Sequence, residues 1–179
     1  ISIHLGSGCS ITAIKNGKVV DTSMGFTPQE GLMMGTRTGD LDPGIISYLM
    51  NKKRYSAKTI SKLISEESGL LGISGTSSEM KDLLFLAGHK VEDSKYQPNE
   101  EIKDLPKEYQ HRAQLAIDMF IYRIQKYIGA YHAILGGVDV LAFTGRIGIK
   151  SSDIRKWILK DIVHLFGGII SKTKIIVVP

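Results

Sequence analysis

The chain has 179 residues, 42% of them hydrophobic and 23% charged, with a formal net charge of +5, which is enough for one domain with a real core. Its basic residues are scattered, and even where Lys52, Lys53 and Arg54 precede Tyr55 no nucleic-acid module accompanies them, so nucleic acid is not an expected partner. No apolar run reaches membrane-spanning length, nothing resembles a signal peptide, and the single cysteine, Cys9, excludes an internal disulfide or a thiolate metal cluster and suits a reducing, cytosolic setting.

Ile1 to Leu5 reads as a strand from the first residue, and Lys174 to Pro179 (KIIVVP) reads as a buried strand at the last. The chain is therefore expected to be a segment truncated at both ends. After Gly6, Ser7 and Gly8 the strand pattern resumes, with Cys9 expected as a small buried thiol. Ser10 to Val20 then forms a hairpin closed by Asn16-Gly17, the strongest short hairpin signal. The glycine turn leaves backbone amides open to an anion, with Ser7 and Ser10 adding hydroxyls, although many such turns bind nothing. His4 beside it is either a satisfied histidine at the sheet end or, when protonated, a donor to that anion.

Met24 to Pro43 (MGFTPQEGLMMGTRTGDLDP) has neither a helical nor a strand period and reads as a shaped loop. Arg37 is its natural working residue, since a guanidinium fork matches phosphate or carboxylate oxygens. Asp40 and Asp42 can orient it or help hold a hydrated metal; the alternative is a local salt bridge between Arg37 and one of them that only stiffens the loop.

Asp42 and Pro43 start a helix through about Met50, and Ser56 to Glu67 supports another with Ile60, Leu63 and Ile64 on one face. Ser68 to Gly75 reads as a glycine-flanked apolar stretch, followed by a GTSS turn at Gly75 to Ser78 that either caps the helix Glu79 to Ala87 or aims amides at an anion. Gly88 to Pro106 reads as an exposed polar connection with room for one turn of helix. Tyr109 to Leu135 is the longest helix, with Ala113, Ile117, Phe120, Ile121, Ile124, Ile128 and Tyr131 on a core stripe. Val138 to Thr144 is a strand, Gly145 to Gly148 a glycine turn in which Arg146 meets a phosphate or water, and Ser152 to Phe166 a helix; Gly167 and Gly168 lead into the last strand.

Taken together, His4 to Gly8 (HLGSG), Asp21 to Pro43, Ser74 to Ser78 (SGTSS) and Phe143 to Gly148 (FTGRIG) resemble, in order, the motifs of the acetate and propionate kinase family. The resemblance implies an α/β, actin-like ATPase (ribonuclease H-like) domain, a mixed sheet flanked by helices, with residues 1–179 as its C-terminal, nucleotide-side domain. It implies reversible transfer of the ATP γ-phosphoryl group to acetate, giving acetyl phosphate and ADP with Mg²⁺, in a cytoplasmic homodimer. The Tyr109 to Leu135 helix is a candidate for the dimer face.

By matching position, Arg37 is the expected catalytic residue, stabilising charge between acetate and the γ-phosphate. His4, Leu5, Gly6, Ser7 and Gly8 correspond to the phosphate-facing turn, where the family usually has Asn in place of Ser7. Glu79, Met80 and Lys81 stand where Asp-Phe-Arg is usual. Arg146, Ile147, Gly148, Ile149 and Lys150 complete the expected nucleotide site, but the family pattern is close to Ala-Gly-Ile-Gly-Glu-Asn where Gly145 to Lys150 read GRIGIK. No metal ligand is assigned; the family's catalytic histidine, acetate pocket and metal-side glutamate match nothing in this sequence.

Overall fold

The computed structural model describes residues 1–165 and 173–179. Its centre is a five-stranded sheet of order β3-β2-β1-β4-β5: β1 Ser2–Leu5, β2 Cys9–Lys15, β3 Lys18–Thr22, β4 Val140–Thr144 and β5 Lys174–Val177. The first three strands pair antiparallel, and β4 and β5 continue parallel to β1. The β2–β3 hairpin closes through Asn16 and Gly17 at φ 53° and 75°, the left-handed pair that a tight turn between twisted strands needs. Alternation assigns the two faces. Ile3, Leu5, Ile11, Ala13, Leu141 and Phe143 are fully or almost fully buried, while Ser2, His4, Ser10 and Thr144 on the other face are half-buried or exposed.

Against the buried face lies α6, Lys107–Leu135, whose stripe from Ala113 to Tyr131 is buried at every position the period assigns to core. Helices α3 (Gly69–Ser74), α4 (Met80–Leu86) and α8 (Ser152–Leu165) pack around it. Outside this core sits α1, Pro43–Lys53, capped by Asp42, whose Oδ1 accepts from the Gly44 amide at 2.8 Å; it buries no residue. Helix α2, Ala57–Glu66, is capped by Ser56 and buries only Ile60. The short α5, Glu100–Lys103, is the one turn of helix expected in the connection after Gly88.

Three expectations change. Ser68 to Gly75 contains the helix α3, whose six residues give a period too little room to show. Gly145 to Gly148 is not a turn but the start of α7, Gly145–Lys150, which begins directly after β4. The last strand is an edge, not a buried strand: Ile175 and Val177 are 38% and 41% exposed, because β5 has a neighbour on one side only among the described residues. Phe166, Gly167 and Gly168 lie outside the described residues, as does their part of the expected helix end and strand entry. Among the described residues no helix is long and apolar enough to cross a membrane.

Candidate functional site

β1 and β4 are adjacent, parallel and end side by side, so the segments that follow them, Gly6–Gly8 and α7, emerge at one edge of the sheet. In open α/β sheets this is where ligands bind. A pocket of about 450 Å³ opens there. His4, Gly6, Ser7 and Gly8 form one wall, Glu79, Met80 and Lys81 at the start of α4 a second, and Arg146, Ile147 and Lys150 a third. Segments separated by up to about 140 residues in sequence thus converge on one space; Met24, Met80, Leu84 and Val91 give it an apolar side.

Local chemistry sets each wall. His4 Nδ1 and Thr144 Oγ1 are 2.8 Å apart, tying β1 to β4 at the pocket edge. The Gly6 amide donates to the Gly8 carbonyl at 3.1 Å, which closes the turn between β1 and β2. Gly145, at φ +75°, brings the chain so close to β1 that a Cβ there would lie 2.6 Å from the Leu5 carbonyl oxygen. At the second wall Glu79 caps α4 with its backbone only, and the Ser77 hydroxyl accepts from the Glu79 amide at 3.0 Å.

Not every residue expected at the site reaches the pocket. Leu5 is fully buried beneath it, Gly148 is buried with its α-carbon facing Phe143 and Leu5, and Ile149 stands outside the lining. Arg37 is not in the lining either; its Nη1 would sit 3.7 Å from a Cβ on Gly8, beside the glycine turn. The local salt bridge considered for Arg37 does not form. Its Nη1 instead donates to the Pro28 carbonyl at 3.1 Å and approaches Met34 Sδ at 3.6 Å. Both acids are engaged elsewhere: Asp42 caps α1, and Asp40 accepts from the Gly31 amide at 3.0 Å, from Tyr127 Oη at 3.0 Å and from Arg123 at 3.4 Å. Neither orients Arg37.

What holds Arg37 is backbone. The amides of Ser68, Leu70 and Leu71 donate at 2.9 Å each to the carbonyls of Thr36, Met34 and Gly35, so the start of α3 grips the loop from below. Gly35 in turn donates to the Ser7 carbonyl at 3.1 Å, which joins the arginine loop to the glycine turn. Cys9, at the root of that turn, is fully buried; desolvation pushes its thiol up to about 12, so it is packing and not a nucleophile.

The residues sequence reasoning missed come from the connection after Gly88. Val91, Glu92 and Asp93 form a fourth wall. Glu92 accepts from the Ser152 amide at 2.9 Å and from its hydroxyl, which caps α8 and holds the Glu92 carboxyl below its usual range. Asp93 faces Arg146 at 3.9 Å. Arg146 is therefore drawn toward Asp93 across the pocket, while Lys150 carries no ion pair among the described residues. With Glu92 and Asp93 so engaged, the acids of the pocket do not gather round one point, and no group of three or more candidate metal ligands occurs among the described residues.

The acetokinase family model matches residues 1–175. The chain belongs to the acetokinase family. The acetate kinase of Dictyoglomus thermophilum is 49% identical over 92% of this chain and 37% of its own length, and that of Porphyromonas gingivalis strain W83 is 46% identical over 98% and 39%. A crystal structure of Porphyromonas gingivalis acetate kinase superposes with a TM-score of 0.82 at 39% identity, covering 99% of this chain and 44% of that one. A propionate kinase structure from Francisella tularensis gives 0.77 at 38% identity, over 92% and 38%. The chain thus spans well under half the length of these acetokinase relatives. Its mixed sheet with flanking helices is the actin-like ATPase fold of that family.

Proposed function

We propose that residues 1–179 are the nucleotide-side domain of an acetate kinase. The polypeptide containing it moves the γ-phosphoryl group of ATP to acetate: a carboxylate oxygen bonds to phosphorus, the bond to the β-phosphate oxygen breaks, and ADP leaves. The observation that carries this reading is the convergence of Gly6–Gly8, Glu79–Lys81 and α7 on one pocket at the carboxyl ends of parallel β1 and β4, with Arg37 against Gly8. The apolar side suits a nucleobase, and the Ser7 and Gly8 amides suit phosphate oxygens.

In this reading Arg37 contributes charge stabilisation to the group in flight, the main service a protein renders in phosphoryl transfer. Its guanidinium is held by carbonyl and thioether contacts and carries no acid partner among the described residues, so its charge is available to an anion. No residue of this chain is assigned to Mg²⁺, which would arrive as its complex with the nucleotide and there offset phosphate charge. A homodimer in the cytoplasm is the accompanying proposal, supported by the family and by a lone buried thiol. Propionate is the second acceptor, supported by the Francisella tularensis relative. A third reading, a homologue that binds nucleotide or a partner chain without catalysis, draws on Ser7, Met80, Arg146, Ile149 and Lys150; the Arg37 loop, held in place by α3, weighs against it.

The test is calorimetric titration of residues 1–179 with MgADP, alongside acetyl hydroxamate assays of an acetate-kinase-length polypeptide carrying this segment. Residues 1–179 are expected to bind MgADP and to make no acetyl phosphate alone. In the longer polypeptide Arg37→Ala lowers acetyl phosphate formation about 10²- to 10³-fold while leaving ADP affinity nearly unchanged. Absence of MgADP binding, or an Arg37→Ala enzyme of ordinary rate, overturns the reading.

A further inference from the structure

The connection after Gly88 is tied at intervals to four different elements. His89 Nε2 lies 2.7 Å from Gln114 Oε1 on α6, and its ring meets that of Trp157 on α8 at a tilt of 58°, centroids 4.7 Å apart. Glu92 caps α8 and Asp93 faces Arg146 on α7. The last tie, Tyr96, reaches α4 on the opposite side of the pocket. So many fixed points on a segment without regular structure need a cause, and each of the later three touches a residue in the pocket lining or next to one.

Tyr96 makes three contacts there. Its hydroxyl donates to Asp82 Oδ1 at 2.9 Å. The other carboxylate oxygen of Asp82 accepts from the Ser77 hydroxyl at 2.6 Å, and that hydroxyl accepts from the Glu79 amide, so the phenol is the outer end of a chain of hydrogen bonds that fixes the turn into α4. Its ring lies 5.5 Å below the Lys81 ammonium, within cation–π range, and meets Phe85 edge-on at 6.2 Å. Burial and the Asp82 carboxylate both push the phenol pKa upward, so Tyr96 remains a donor throughout the physiological range.

We infer that Tyr96 is a positioning residue for ligand binding: its ring holds the Lys81 ammonium at the pocket wall, and its hydroxyl, bonded to Asp82, anchors the ring in that place. A lysine side chain is flexible and strongly hydrated, so an unguided ammonium samples solvent; a ring beneath it restricts the charge to the side where the ligand's anionic groups arrive. The assignment rests on the nucleotide reading of the pocket.

The experiment is calorimetry on the chain with MgADP and with adenosine as the uncharged probe, for Tyr96→Phe, Tyr96→Leu, Lys81→Met and the double variant Tyr96→Leu/Lys81→Met. Tyr96→Phe, which keeps the ring and must fold, is expected to lose less than Tyr96→Leu. Tyr96→Leu is expected to weaken MgADP about two- to five-fold, the size of one exposed cation–π contact, with adenosine unchanged. In the Lys81→Met background the same substitution is expected to do nothing more on MgADP. A purely structural role would weaken both probes and would persist without Lys81. If the parent chain binds MgADP and Tyr96→Leu binds it equally well, or loses the two probes alike, the assignment fails alone. If the parent binds neither probe, the nucleotide reading fails and takes the assignment with it.

Discussion

Gly69 belongs to none of the family strings, yet the structure makes it a keystone of the arginine loop. It adopts φ +60°, and a Cβ there would sit 2.2 Å from the Met34 carbonyl oxygen and 2.7 Å from that of Arg37. The Met34 carbonyl cannot retreat without loosening its bond from the Leu70 amide, nor the Arg37 carbonyl without loosening its bond from the Met34 amide. Gly69→Ala therefore combines a backbone conformation that costs an L-residue about 1–2 kcal/mol with the weakening of one or two hydrogen bonds of about 1 kcal/mol each. The expected loss is about 2–4 kcal/mol of unfolding free energy.

Gly88→Ala is the internal control, because Gly88 has a similar φ of +78° and nothing within 4 Å of the added carbon. It should lose only the conformational part, about 1–2 kcal/mol. Urea unfolding of both variants at constant m isolates the clash as their difference. In an acetate-kinase-length polypeptide, Gly69→Ala should also reduce turnover, since Arg37 shifts with the loop, while Gly88→Ala should not. Equal destabilisation by the two substitutions would refute the claim that α3 sets the position of Arg37.

Asp40→Ala removes the acceptor shared by Gly31, Tyr127 and Arg123 and should cost about 2–3 kcal/mol, discounted for the partial exposure of the Arg123 pair; an unfolding midpoint equal to the parent's would show that the loop does not depend on α6. Cys9 should resist iodoacetamide in the folded chain and react on unfolding. Because its folded pKa, about 12, lies above the ordinary 9.0, the native state keeps a proton that the unfolded chain releases. The stability due to this group is complete below pH 9.0 and is lost as pH rises toward about 12. Labelling of the native thiol at the unfolded rate below pH 9.0 would contradict that burial.

Strands and the long helix were legible because their signals are local. The Asn16-Gly17 turn, the alternation in β1 and the stripe on α6 each state their geometry within a few residues. The pocket walls were legible through family strings whose convergence periodicity alone does not reveal. What stayed hidden depends on partners distant in sequence. Glu92, Asp93 and Tyr96 look like solvated residues of a connection, and only the fold brings Ser152, Arg146 and Asp82 beside them. A salt bridge from Arg37 to Asp40 or Asp42 is suggested by their nearness in sequence, whereas Asp40 turns to α6 and meets Arg123, 83 residues away, and Asp42 caps α1. Six-residue helices such as α3 and α7 are too short to announce themselves, and the glycines flanking or within them read more readily as turns.

The sheet order has an evolutionary consequence. β1 and β4, which deliver two of the pocket walls, are both interior strands, hydrogen-bonded on either side, whereas the margins β3 and β5 deliver none. A ligand-facing side chain at the end of an interior strand can be exchanged while its backbone stays pinned by two neighbours. The segment Gly145 to Lys150 follows such a strand, so an exposed side chain there is less constrained by the sheet than one in its core.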